Sequence, residues 1–127
     1  MNKKLKTYLK ILLATFIIIL IFTFIDYLIH SLKEEYFVPS WYYTNKIIYG
    51  TLIGFITLSL LQKFKNIHIK TLIFSLVVST LLQTRYALTG YDIYFVVLFL
   101  FIHFIILYPS TYLIIRLFKK LSNEDNL

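Results

Sequence analysis

Asp26 and His30 stand one helical turn apart near the end of a long apolar run, in the stretch Phe22–Ser31, FTFIDYLIHS. That spacing sets a carboxylate and an imidazole on one helical face, which Thr15 and Thr23 share. An isolated charge in hydrocarbon is expensive, so such groups turn inward and pair. The partner expected here is Arg85. If His30 and Gly90 mark the outer ends of their helices, Asp26 and Arg85 lie roughly 6 and 7 Å beneath them at the helical rise. Asp92 and His103 fall on one face, three turns apart, which puts His103 roughly 16 Å below Asp92 and near mid-depth. Asp26, His30, Arg85, Asp92 and His103 are the expected intramembrane polar cluster.

Carboxylates and imidazoles tuned toward neutral pH can relay protons, and an intramembrane ionisable residue is by default a functional site. Metal binding needs three or four converging ligands. Asp26 and His30 supply two, and a third would have to be Asp92, Glu34 or Glu35, so no metal is expected. A haem between His30 and His103 would have to bridge half a bilayer, and His68 lies in a lysine-rich loop, so no cofactor is expected either. The chain has no cysteine, which removes disulfides, thiolate nucleophiles and iron–sulfur ligands. No Gly-x-Ser-x-Gly, His-Glu-x-x-His or phosphate-binding glycine loop is present. An enzyme is therefore the less favoured reading.

The elements that must position these residues follow from composition. Of 127 residues 59% are hydrophobic, against about 45–50% for an ordinary soluble domain. A chain this short cannot hide that surface in a soluble core. A membrane-spanning helix needs about 20 mostly apolar residues, and four segments qualify: 7–30, 43–61, 71–90 and 93–117. The opening MNKKLKTYLK followed by an apolar run resembles a secretion signal. The run is too long and lacks a small-residue cleavage site, so it reads as a retained first span.

Charge orients the spans. Lys3, Lys4, Lys6, Lys10, Lys63, Lys65, Lys70, Arg116, Lys119 and Lys120 fall on one side, with only Glu124 and Asp125 among them. The other side carries Lys33, Lys46 and Arg85 against Asp26, Glu34, Glu35 and Asp92. Basic residues collect on the cytoplasmic face, so both termini and the loop QKFKNIHIK are expected there. The net charge of +7 is explained by topology and suits an anionic inner leaflet, leaving no role for nucleic acid. Most tyrosines, with Trp41, gather on the outer side as an aromatic belt.

Gly50 and Gly54 form a small-xxx-small pair, suited to close packing inside the bundle or against a second copy. Ser75, Ser79 and Gln83 line one face of the third span. Pro109 cannot donate to the carbonyl of Ile105 and should bend the fourth. The loop LKEEYFVPSWYYTNK is amphipathic and could lie along the outer surface.

The expected fold is thus an all-α membrane protein, a four-transmembrane-helix up-down bundle with N and C termini cytoplasmic, in the cell membrane. It forms a single integral domain. The expected function is a small transport or channel-type protein with a polar cluster in its outer half. Its expected partners are the lipid bilayer and a second copy or larger membrane complex. The alternatives are an accessory subunit of a membrane complex and a lipid-modifying enzyme.

Overall fold

The computed structural model describes residues 2–122 and, among these, consists of helices and short connections. Helix α1 spans Lys3–His30, α2 Ser40–Leu60, α3 Ile67–Leu88 and α4 Ile93–Ser122. Each is long and apolar enough, by length and composition, to cross a membrane.

The helix ends explain why the apolar runs understate the helices. Asn2 Oδ1 accepts from the Lys4 amide at 2.8 Å, so α1 begins within the lysine segment. Asn66 caps α3 by accepting from the His68 amide at 2.9 Å, which starts that helix four residues before the apolar run at Thr71. Pro39, with its φ of −65° already suited to a helix start, precedes α2, and its carbonyl accepts from Tyr42 N at 3.0 Å. The expected second span at 43–61 therefore gains a turn. Helix α3 ends through Gly90 at φ 102°, with Tyr91 N reaching back to the Tyr86 carbonyl at 3.2 Å. Only glycine takes that left-handed conformation without strain.

The helices alternate in direction, and their side-chain contacts show it. Tyr8 of α1 meets Phe55 near the far end of α2, while His30 meets Tyr42 at its start. His68, at the start of α3, stacks on Tyr112 in the second half of α4 at 5.2 Å. The four helices close into a ring, α1 against α2 and α4, and α3 against α2 and α4. Both ends of the described chain and the α2–α3 turn thus share one end of the bundle. Gln83 Nε2 donates to the Val96 carbonyl at 2.8 Å and ties α3 to α4.

Helix α2 presents a narrow buried stripe, Tyr42, Lys46, Gly50, Gly54 and Leu58, spaced by four. Its glycines are filled from within the chain. A Cβ at Gly50 would lie 3.2 Å from the Ile19 side chain, and one at Gly54 would lie 2.7 Å from Thr15 Cγ2 and 3.0 Å from the Phe74 ring. The small-xxx-small pair therefore seats α1 and α3, not a second copy. In α4, Pro109 lies inside the helix, and Ser110 Oγ donates to the Ile106 carbonyl at 2.8 Å.

Candidate functional site: a buried carboxylate shared by a lysine and two histidines

The stripe on α2 carries the residue that meets Asp26. Lys46 is fully buried, and its ammonium forms an ion pair with Asp26 Oδ2. The same Nζ lies 3.2 Å from Tyr42 Oη and 3.0 Å from His103 Nε2. An ammonium has three donors and no acceptor, and here each donor has an acceptor. The rings of Phe22, Tyr42 and Tyr86 stand 5.0, 4.3 and 6.0 Å from Nζ, close enough for cation–π attraction.

Two imidazoles complete the centre. His30 Nε2 lies 3.2 Å from Asp26 Oδ2, and His103 Nε2 lies 3.2 Å from Asp26 Oδ1. His30 stacks face to face on Phe99 at 4.1 Å, and His103 meets the Phe22 ring edge-on at 4.9 Å. Asp26, Lys46 and His103 are 0% exposed and His30 is 1% exposed. Because His103 Nε2 accepts from Lys46, its own proton is on Nδ1, which has no hydrogen-bond partner among the described residues.

Asp26, His30 and His103 are thus brought together, and Arg85 and Asp92 are not. The expected Asp26–Arg85 pair is replaced by Asp26–Lys46. The buried stripe of α3 runs through Val78, Ser79, Leu82, Gln83 and Tyr86, and Arg85 lies about 100° of helical rotation from Tyr86. Its guanidinium instead covers the Tyr49 ring at 3.8 Å and is part-exposed. Asp92 is exposed at the head of α4, beside a cleft that Glu35 and Tyr36 also line.

The depth expected for His103 is corrected as well. Phe99, one turn before His103, stacks on His30, and Phe95 lies beyond it at 5.8 Å. Helix α4 therefore overshoots the end of α1, and counting depth from Asp92 placed His103 too far from His30. Sequence reasoning sets Lys46 on the outer side, around the polar centre, but misses it as the partner of Asp26. The available signal was its place four residues before Gly50 on the stripe already recognised as a packing face.

Asp26, His30 and His103 offer three metal-ligand atoms within 4.8 Å of one another, the third coming from His103 and not from Asp92, Glu34 or Glu35. The Lys46 ammonium stands among these atoms and is the cation they hold here. Toward the other end of the bundle, the apolar side chains of Ile18, Ile19, Phe22, Val78 and Leu107 are fully buried, with Ser79 buried beside Val78. Beyond them, by helical register, come buried hydroxyls of Thr15, Thr71, Ser75 and Thr111, without partners among the described residues.

Two tyrosines of the expected outer belt are core residues. Tyr42 and Tyr86 are buried and stack at 4.5 Å beside the lysine. The connection after α1 is a short 3-10 turn at Glu34–Tyr36 with both glutamates exposed.

The fold and this centre define a class only: an all-helical bundle of four potential membrane spans around a buried ionic core. No protein-family model matches the chain, and no curated protein or solved structure was found to match it.

Proposed function

We propose that the protein is a multi-pass membrane protein of the transport type, with both termini cytoplasmic, whose Asp26–Lys46–His103–His30 centre exchanges protons with the outer side. The observation that carries this reading is one carboxylate shared by a lysine and two histidines, all essentially unexposed. A single Asp–Lys pair would balance charge and fix helix register. Two further imidazoles on the same carboxylate add ring nitrogens that can each hold or release a proton. Ionisable groups kept inside a membrane bundle despite their cost mark proton and ion pathways.

The orientation rests on the lysines. Lys3, Lys4, Lys6 and Lys10, the α2–α3 turn with Lys63 and Lys65, and Lys119 and Lys120 share one end of the bundle, as the cytoplasmic excess of basic residues requires. The native chain lacks cysteine, so single cysteines report topology cleanly. In intact cells Glu34→Cys should react with an impermeant maleimide, and Lys65→Cys should react only after permeabilisation. The reverse pattern would invert the orientation.

Transport itself is tested in liposomes loaded with a pH-sensitive dye, with a membrane potential imposed. Wild type should pass protons well above empty liposomes, and Asp26→Asn should lose about tenfold or more. Wild-type flux equal to that of empty liposomes would defeat the transport reading. It would favour an accessory subunit.

A further inference from the structure

Resting on that reading, we infer that His30 is the group through which the centre takes up its proton from the outer side, and that the turn at Glu34–Tyr36 sets its tautomer. His30 Nδ1 lies 2.6 Å from the backbone carbonyl of Tyr36. A carbonyl only accepts, so Nδ1 carries a hydrogen. In the neutral ring Nε2 then bears a lone pair. Nε2 lies 3.2 Å from Asp26 Oδ2, and the two make no hydrogen bond as they stand. Two acceptors oppose each other, and the contact is one proton short.

A hydronium ion delivering a proton to Nε2 leaves water behind and forms an imidazolium. Nδ1 still donates to the Tyr36 carbonyl, and the cationic ring forms an ion pair with the Asp26 carboxylate 3.2 Å from Nε2. Packing on one side and the turn on the other hold the ring in this position. Phe99 stacks on it with planes 3° apart, and the turn is held by Tyr36 N to Lys33 O at 3.0 Å and Phe37 N to Glu34 O at 3.1 Å.

His103 is in a different position. Its Nε2 already accepts from Lys46, and it lies a turn further in along α4. His30 instead borders a cleft of about 330 Å³ with Tyr27, Phe37, Ser40 and Tyr43. The groups that face His30 come from each neighbouring element. Asp26 faces it from α1 and Tyr36 from the turn. Tyr42 and Tyr43 do so from α2, with Lys46 on the same carboxylate oxygen. Phe95, Phe99 and, across Asp26, His103 do so from α4. Tyr86 of α3 stands behind Tyr42. Asp26 is the anion among them, so a proton on His30 is drawn to the face where the carboxylate waits.

The test uses the full chain, labelled with nitrogen-15 histidine, in lipid nanodiscs, with His30 assigned through His30→Gln. At high pH its spectrum should show a protonated Nδ1 and a bare Nε2. On acidification Nε2 should become protonated in one step, and Asp26→Asn should shift that step. A hydrogen on Nε2 and none on Nδ1 at high pH would overturn the inference, as would nitrogens that respond to added zinc but not to pH. In liposomes His30→Gln should slow proton flux at least tenfold. Wild-type flux in His30→Gln would refute the role of His30 and leave the transport reading standing. Absence of flux in wild type would refute the transport reading, and the spectra of the unaltered chain would still decide the proton chemistry of His30.

Discussion

Lys46→Met is expected to destabilise the folded protein by about 3–5 kcal/mol, because removing one partner of a buried ion pair leaves the other charge uncompensated. Asp26 would keep two imidazoles, but neither replaces an ammonium that also donates to Tyr42 and His103. Arg85→Gln should cost about 1 kcal/mol or less, since it removes only a part-exposed guanidinium from the Tyr49 ring. The contrast separates the two cations by their surroundings, although both lie toward the same end of the bundle. The combined change Asp26→Leu with Lys46→Met removes both charges, and buried pairs exchanged for apolar residues of similar volume are often neutral or stabilising. Thermal unfolding in one detergent, for all three variants and wild type, reads these differences. Equal loss in Lys46→Met and Arg85→Gln would contradict the pairing described here.

Gly54→Ala should cost about 1–3 kcal/mol, the usual penalty for forcing extra volume into a packed core. The added Cβ would sit 2.7 Å from Thr15 Cγ2 and 3.0 and 3.1 Å from the Phe74 ring. Thr15 is a stiff β-branched residue on α1, and Phe74 is fully buried on α3, so neither withdraws easily. Thr15→Ser deletes the clashing methyl and should recover part of the loss, a coupling of about 0.5–3 kcal/mol between contacting sites. Gly50→Ala meets only the end of the Ile19 side chain and its branches at 3.2 Å, and should be milder. Denaturation of the four-member cycle in micelles measures the coupling. Additive costs for Gly54→Ala and Thr15→Ser would show that α1 and α2 do not approach at that glycine.

The helices could be read from the chain because an uninterrupted apolar run of this length has few other uses. Their ends were read less well. Asn66 and Pro39 start α3 and α2 before the apolar residues begin, since capping chemistry and not hydropathy sets a helix terminus. Within the site, Asp26 and His30 are neighbours on one helix, so their spacing alone placed them together. Pairing between helices is harder. Asp26 and Arg85 match in depth along the axis, but rotation about the axis decides which side chains meet. Arg85 is turned aside from the buried face that Tyr86 and Gln83 share. Lys46 has the right rotation, fixed by the glycines below it. His103 was recognised as deep and titratable, yet its link to His30 depended on how far α4 overshoots α1, which no spacing within one helix reveals.

The measurement closest to the central claim is proton flux through the charge-free variant Asp26→Leu with Lys46→Met, reconstituted beside wild type after both are shown to unfold at comparable temperatures. A centre that works by exchanging protons predicts a folded variant with flux reduced at least tenfold, near that of empty liposomes. A folded variant that passes protons at the wild-type rate would mean that the buried carboxylate and its three basic neighbours hold the bundle together and do nothing more.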